Sequence, residues 1–454
     1  DAVPKKYDGL DGTELAISES QERMAICVDP SEVAYFIAES DKENLECVHV
    51  ATVTDTGRLR MTWRGKTIVD LTREFLDTNG VQQEATVHVE AIGTESPLDC
   101  IAFESFADAL GDLNISSQKG LGEMFDSSVG AGTVLSPFGG KHQCTPVDAM
   151  VATLPFLEGQ TKICTHMSWG FNANIATWSP YHGAAYAVTE SVCRAVASGA
   201  RLSDIRLTLQ EYFPKLGDDS SRWGLPFAAL LGAFKAQHEL RLGAIGGKDS
   251  MSGTFNDIDV PPTLVSFALA PGNTKHVVSP EFKEVNSLIS FIEVPRDENQ
   301  LPDFRALKEI ADTLHGANIL AAHTLDHGGI ATGLSKMSFG NGIGASIKTD
   351  INLHQERFLS FLIESKEEIT GGIVIGKTQI EPTIQVGSDA LKLGELYDAW
   401  TNPLSEIYPE TADPSTSEAD TFKSTFEAKH STTKSQNPKV IIPAFPGTNS
   451  EYDS

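Results

Sequence analysis

The chain has 454 residues, of which 35 are basic and 62 acidic, giving a formal net charge of −27. Nucleic-acid binding needs concentrated Lys and Arg against phosphates, so this acidic balance argues against that class of protein. Hydrophobic residues make up 40% and charged residues 21%, a globular composition, and the length suits about three domains. The apolar stretches are far shorter than the ~18 residues of a membrane helix and the first residues hold no apolar signal core, so we expect a soluble, cytoplasmic protein. Six cysteines without a CxxC pair favour reduced thiols.

Residues 1–90 alternate short apolar runs with polar segments. The patterns predict a strand over 18–28, a helix over 32–44, a strand over 46–54 and a hairpin over 59–71. This order of elements is typical of a small α+β domain.

The middle of the chain mixes predicted helices and strands. Ser179 followed by Pro180 is typical of a helix start, because the hydroxyl caps the helix and proline fits its first position. Further along, the patterns predict helices over 226–240, 303–315 and 330–339, and strands over 262–270 and 319–322. The mixture favours α+β or α/β layers over all-α or all-β folds.

The triplet Gln-Glu-Arg at 21–23 recurs at 355–357, and similar apolar blocks follow both copies. We therefore expect two copies of one domain type. Near the end of the chain, 401–438 has the composition of an interdomain linker, and 439–446 is a predicted strand followed by a Gly-Thr-Asn turn. A lone strand cannot bury itself, so we expect 439–454 to begin a further domain.

One glycine-rich turn is a candidate ligand site. Gly246 and Gly247 would let the backbone approach an anion, Lys248 adds a positive charge, and Asp249 and Ser250 offer oxygens to Mg²⁺ or a sugar hydroxyl. It is not a Walker A loop, because Asp249 follows the lysine where Ser or Thr is required. An ordinary glycine turn is the alternative interpretation.

Other polar groups have two interpretations each. His323, Asp326 and His327 suggest a metal site, with a capped turn or a substrate contact as the alternative. Glu190 precedes Arg194 by four residues, the spacing of a surface salt bridge on a helix. His182 lies in the first turn of that helix, where a structural role is common. The loop with Glu19, Gln21, Glu22 and Arg23 is either a solvated loop or a ligand contact.

Seven motifs occur together in the order found in the phosphoribosylformylglycinamidine synthase family, in its large glutamine-dependent form, which the chain resembles over essentially its whole length. They are ESQERM (19–24), MTWRG (61–65), GAGTVLSPFGGKHQ (130–143), SPYHGAAYAVTESV (179–192), LQEYF (209–213), GGKDSMSGTF (246–255) and FPGTN (445–449).

This resemblance implies two tandem halves, each similar to aminoimidazole ribonucleotide synthetase, followed by a class I glutaminase domain. Residues 1–90 would be the C-terminal α+β domain of the first half, truncated at its N-terminus, and 91–114 a linker. The second half would comprise an N-terminal α/β domain, 115–275, and a C-terminal α+β domain, 285–430. The segment 439–454 would open the glutaminase domain.

The resemblance also implies an ATP-dependent ligase of purine biosynthesis. It would convert formylglycinamide ribonucleotide, glutamine and ATP to formylglycinamidine ribonucleotide, glutamate, ADP and phosphate, with Mg²⁺ as cofactor. Ammonia would come from the glutaminase domain, whose Cys and His would lie beyond Ser454, so this segment alone is expected to be inactive. By motif match, the substrate- and nucleotide-binding residues are Glu19, Gln21, Arg23, His182, Gly246, Gly247, Lys248, Asp249, Ser250 and His323.

The resemblance is imperfect at a second nucleotide and Mg²⁺ site that large family members hold in the second half. Glu190 matches the metal-binding glutamate, but Arg194 replaces an asparagine and Thr324 an aspartate, with Asp326 two residues on. These changes should weaken or abolish Mg²⁺ binding by Glu190 and Asp326. The alternatives are a related synthetase, for aminoimidazole ribonucleotide or selenophosphate, and a non-catalytic nucleotide-binding scaffold.

Overall fold

The computed structural model describes residues 2–5, 9–18, 23–78, 80, 84–101, 103–125, 127, 132–156 and 159–411. The chain forms two compact units, which divide between Thr86 and Val87. The strand predicted at 439–446 lies outside the described residues, as do Glu19 and Gln21.

The described residues of the first unit form one hairpin and three short α-helices. Its elements are α1 Gly12–Ile17, α2 Val33–Lys42, β1 Arg58–Trp63, β2 Lys66–Thr72 and α3 Arg73–Leu76. β1 and β2 pair antiparallel, as the sequence predicts.

The two other strands predicted in this unit are wrong over their described residues, and 19–22 of the first lie outside the described part of the chain. In the described residues 23–29 and 45–54, no regular strand forms. Met24 and Val53 are more than four-fifths exposed, so the apolar pattern has no core to pack against there. Alternation alone cannot make a strand when no neighbouring strand supplies its hydrogen bonds.

The second unit begins with a layer built on a six-stranded sheet. Its elements are, in chain order, α4 Phe106–Leu110, α5 Lys119–Gly122, β3 Thr133–Leu135, β4 Phe138–Gly139, β5 Thr145–Pro146, β6 Met150–Thr153, β7 Ile163–Gly170, α6 Ala173–Trp178, α7 Pro180–Ala197, β8 Arg206–Tyr212, α8 Ser220–Leu240, β9 Ala244–Lys248, β10 Thr254–Phe255, β11 Ile258–Asp259 and β12 Thr263–Asn273. The sheet order is β3-β6-β7-β12-β8-β9, with only β8 and β9 parallel among these neighbours.

A seven-stranded sheet forms the next layer of this unit. Its elements are β13 Leu288–Ile292, α9 Phe304–Gly316, β14 Ile319–Thr324, α10 Gly329–Phe339, β15 Gly344–Ile347, β16 Phe361–Ser365, β17 Ile373–Gln379, β18 Thr383–Val386, β19 Asp389–Lys392 and α11 Leu393–Thr401. The order is β14-β16-β13-β17-β15-β18-β19.

Helix α7 lies between the two layers of the second unit. It packs against β7 and β12 of the first sheet and against β14 of the second. All of β16 is buried, and its side chains alternate between two cores: Phe361 and Ile363 join the core around α7, whereas Leu362 joins the core around α10 and α11. Coverage of both faces suits the apolar residues 361–363, and the buried Glu364 that follows accepts the N–H groups of Lys283 and Glu284.

Local signals predicted the helices of this unit well. α7 begins at Pro180, with the Ser179 side chain capping the His182 N–H, and α9 begins after the Asp303 cap. α8 starts six residues before the predicted Pro226, at Ser220 after the Asp219 cap. In the described part of the chain, no helix is both long and apolar enough to cross a membrane.

Candidate functional site

Four charged side chains meet where α7 contacts the turn between β14 and α10. Glu190 and Arg194 stand one turn apart on α7, Asp326 lies in the turn, and Lys336 lies on α10. Arg194 Nη2 is 2.6 Å from Glu190 Oε1 and 3.6 Å from Asp326 Oδ2, and Lys336 Nζ is 3.2 Å from Asp326 Oδ1. We call these four residues the central ion-pair cluster.

The central ion-pair cluster is buried apart from Asp326, whose side chain is 26% exposed, and this corrects the interpretation of Glu190 and Arg194 as a surface pair. The side chains of Glu190 and Arg194 are each 12% exposed, and Lys336 is 8% exposed. Glu190 also accepts the Phe171 N–H at 3.0 Å, and the Arg194 guanidinium lies 4.5 Å from the ring centroid of Trp169. The spacing predicted the pair, but only the packing of α7 between two layers sets its burial.

Burial raises the pKa of the Glu190 and Asp326 carboxyl groups, whereas the neighbouring cations lower it. Burial raises the pKa of Glu190, although the Arg194 charge favours its ionised form. Burial also disfavours ionisation of Asp326, but the charges of Lys336 and Arg194 outweigh it and hold the pKa of Asp326 below its ordinary value. Asp326 is therefore ionised near neutral pH, with two cations beside it.

A second buried contact fixes the end of β14. Asp148 Oδ1 lies 2.6 Å from Nδ1 of His323, and its Oδ2 accepts the Thr324 N–H at 2.6 Å. Asp148 is not predictable from the sequence as a partner of His323, because no local pattern links it to β14. His323 Nε2 and Thr324 Oγ1 have no hydrogen-bond partner within the described residues.

The turn before α10 is held by the second Gln-Glu-Arg copy. The Glu356 carboxylate accepts the Gly328 N–H at 3.1 Å and lies 3.7 Å from His327 Nδ1. Asn172 Nδ2 lies 2.9 Å from His327 Nε2. Gly328 and Gly329 both have positive φ, a conformation that favours glycine. Burial disfavours protonation of His327, but Glu356 outweighs it and raises the pKa of His327.

The segment that ends at Lys248 lies on an edge strand of the six-stranded sheet. Residues 244–248 form β9 rather than the predicted turn, because they pair in parallel with β8. Lys248 is exposed, and Asp249 and Ser250 follow the strand. Gly247 approaches β8 so closely that a Cβ there would lie 2.6 Å from the Leu209 carbonyl oxygen.

Ser250 fixes the start of the loop that follows β9. Its N–H donates to the Glu211 carbonyl at 3.1 Å. Its hydroxyl lies 2.8 Å from that of Ser252. The side chain of Lys248 is thus presented to solvent from an anchored backbone.

Of the remaining predicted residues, His182 lies in the second unit and Arg23 in the first. His182 is buried in α7, with Nε2 2.8 Å from the Asn299 carbonyl oxygen and Nδ1 2.8 Å from Ser179 Oγ. Both ring nitrogens therefore have internal partners. Arg23 is exposed and donates to the Pro4 carbonyl at 2.8 Å within the first unit.

The donors around Glu190 and Asp326 do not fit a divalent metal. Across the described ranges, no three His, Cys, Asp or Glu side chains are arranged to hold a metal ion. Mg²⁺ prefers near-octahedral oxygen ligands, whereas the carboxylates here face a guanidinium and an ammonium group. The site expected from the resemblance is filled by fixed cations of the chain.

Comparisons with known proteins agree with the motifs. A profile described as AIR synthase related protein, C-terminal domain, matches residues 1–64. "Phosphoribosylformylglycinamidine synthase subunit PurL" of Nocardioides sp. is 24% identical over 89% of this chain and 58% of the relative. The protein of that name from Sulfurimonas denitrificans is 25% identical over 90% of this chain and 59% of its own length. The chain therefore spans a little over half the length of these relatives, and the resemblance is confirmed.

Solved structures show the same fold. Thermotoga maritima PurL complexed with ATP is 19% identical, with a TM-score of 0.59 over 84% of this chain and 58% of that one. T. maritima PurL complexed with FGAR is 20% identical, with a TM-score of 0.61 over 84% and 57%. These matches confirm the expected mixed α/β fold similar to aminoimidazole ribonucleotide synthetase.

Proposed function

We propose that this chain is the central part of a phosphoribosylformylglycinamidine synthase that acts in the cytoplasm. The complete protein would use ATP and ammonia from glutamine to convert formylglycinamide ribonucleotide (FGAR) to the amidine, releasing ADP and phosphate. The observation that supports this most strongly is similarity to the curated synthase subunits over about nine-tenths of the chain. The relatives' structures with ATP and FGAR support the same pair of ligands.

The reaction requires the protein to position the substrates and to stabilise negative charge on the phosphate oxygens. The amide oxygen of FGAR attacks the γ-phosphorus of ATP, ADP leaves, and ammonia then displaces phosphate from the resulting iminophosphate. Each step moves negative charge on phosphate oxygens, which fixed donors and cations stabilise. Because the cluster around Glu190 does not fit Mg²⁺, no step of this reaction is assigned to it.

The Lys248 segment is our candidate for contact with a phosphate-bearing ligand. Lys248 is exposed at the end of β9, and Gly246 is open to solvent, since a Cβ there would meet no atom within 4 Å. A cation beside an open glycine suits a phosphate group, because the group can approach the backbone closely there. Asp249 and Ser250 would add polar contacts. Glu19, Gln21 and Arg23 would line the corresponding site of the first half.

We also propose the domain assignment implied by the resemblance. Residues 1–90 would close the first synthetase-like half, and 115–275 with 285–430 would form the second. The glutaminase domain would begin at 439. The separation of the chain into units at Thr86 and Val87 supports placing a domain boundary close to 90.

Calorimetric titration of FGAR, ATP and ADP into the purified chain tests the role of Lys248. Lys248→Ala should weaken binding of one of these ligands about tenfold or more, the loss expected for one charge-assisted contact. Lys348→Ala, at another exposed lysine of the second unit, is the matched control and should bind like wild type. If Lys248→Ala bound FGAR, ATP and ADP as tightly as Lys348→Ala does, Lys248 would not be part of the ligand site.

A further inference from the structure

The central ion-pair cluster has a charge arrangement that a metal site lacks. Two carboxylates, Glu190 and Asp326, face two cations, Arg194 and Lys336, and the contacts run Glu190–Arg194–Asp326–Lys336 in one chain. The four formal charges sum to zero without a bound ion. Fixed cations of this kind supply the positive charge that a divalent ion would otherwise bring to the two carboxylates.

We propose that Arg194 and Lys336 replace a divalent metal at this position, so that the central ion-pair cluster is a metal-independent brace between the two layers of the second unit. The inference rests on the geometry of the second unit and does not depend on the proposed function. It assigns Arg194 a positioning role, since the guanidinium joins α7 to the turn before α10.

The packing of Arg194 leaves little freedom for it to withdraw. Its guanidinium stacks on Trp169 of β7 at 4.5 Å and is held at the other side by Glu190 and Asp326. For Mg²⁺ to bind both carboxylates, they would have to release their cations, leaving two buried positive charges beside an added divalent charge. In a buried environment that repulsion is strong.

The brace connects three segments that are distant in sequence. Glu190 holds the Phe171 N–H at the end of β7, Arg194 reaches Asp326 after β14, and Lys336 returns from α10 to Asp326. Removing Arg194 therefore leaves Glu190 without its cation and frees the turn before α10 from α7. Local opening of that turn should become more frequent.

Thermal unfolding with and without Mg²⁺ tests the proposal on the whole chain. Any difference between the wild-type midpoints in millimolar Mg²⁺ and in EDTA should be the same in Glu190→Gln, because no ion binds at this carboxylate. Arg194→Gln should lower the midpoint by several degrees in both buffers, whereas Arg305→Gln, at an exposed pair with Glu309, should leave it nearly unchanged. An Arg194→Gln midpoint equal to wild type would overturn the brace.

A rise in the wild-type midpoint with Mg²⁺ that disappears in Glu190→Gln would overturn metal independence, because it would place the ion at this carboxylate. A rise that persists unchanged in Glu190→Gln would place the ion elsewhere and support the proposal.

Arg194→Lys keeps the positive charge and provides a second variant in case Arg194→Gln does not fold. It should unfold at a midpoint between those of wild type and Arg194→Gln, and amide hydrogens of 326–332 should exchange faster than in wild type. Unchanged exchange there in folded Arg194→Lys, with wild-type stability, would show that the guanidinium does not hold the turn.

Discussion

Asp148 and His323, which are 175 residues apart in the sequence, are joined by a 2.6 Å contact between Oδ1 and Nδ1 inside the second unit. The other oxygen of Asp148 accepts the Thr324 N–H, so one carboxylate fixes both the side chain and the backbone at the end of β14. This end of β14 leads directly to Asp326. Asp148 therefore positions the end of β14, which leads into the turn that carries Asp326 of the central ion-pair cluster.

Asp148→Asn should destabilise the second unit substantially. The carboxamide has one acceptor oxygen, so if it accepts the Thr324 N–H, its NH₂ group faces His323 Nδ1. The His323 proton then either loses its acceptor or moves to Nε2, which has no partner in the described residues. We expect the free energy of unfolding to fall by about 2–4 kcal/mol in urea denaturation. Asp312→Asn, on the exposed face of α9, is the control and should change it by less than about 0.5 kcal/mol. Equal stability of the two variants would refute the role of Asp148.

Gly232→Ala should disrupt the contact between α7 and α8. A Cβ at Gly232 would lie 1.9 Å from the Tyr181 carbonyl oxygen, so the two helices would have to separate. Overpacking of this kind costs about 1–3 kcal/mol. Gly316→Ala, at the end of α9 where a Cβ meets no atom within 4 Å, should be neutral or stabilising by up to about 1 kcal/mol. Chemical denaturation of both variants measures the difference, and a Gly232→Ala protein as stable as wild type would contradict the observed packing.

His166 should make the stability of the chain fall in mild acid. Burial lowers the pKa of His166 from 6.5 to about 4. Above pH 6.5 the His166 side chain is neutral in both the folded and the unfolded chain, so it adds no pH dependence to the free energy of unfolding. Below pH 6.5 the unfolded chain binds the proton more readily than the folded chain, which favours unfolding. The loss grows as pH falls from about 6.5 to about 4 and reaches about 3 kcal/mol.

The comparison with His166→Asn isolates this contribution from other titrating groups. The variant should be less stable near neutral pH but lose less stability between pH 6.5 and 4 than wild type does. His238→Asn, at an exposed position on α8, should keep the wild-type slope. Parallel pH profiles for wild type and His166→Asn would show that the ring is accessible to protons in the folded state.

Sequence reasoning succeeded where the determinants are local. The start of α7 follows from Ser179 and Pro180, since a capping hydroxyl and a proline act within one turn. The spacing of Glu190 and Arg194 predicted their pairing for the same reason.

Features that depend on contacts between residues distant in sequence could not be predicted from local patterns. The burial of Arg194 depends on the second layer, and Asp148 meets β14 only in the folded chain. Residues 244–248 contain two glycines and resemble a turn, yet they form a strand because β8 supplies a parallel neighbour. The motif resemblance located the ligand-binding candidates, but their spatial arrangement was accessible only from the folded structure.

The complete protein that carries this segment provides the most direct test of the proposed amidoligase function. ADP formation should be measured with ATP, FGAR and an ammonium salt, beside formation of the amidine. We predict ADP formation that requires both FGAR and ammonia, with kcat/KM about tenfold or more lower in Lys248→Ala and unchanged in Lys348→Ala. A folded complete protein that consumes no ATP when all three substrates are present, or consumes it equally without FGAR, would contradict the proposed function.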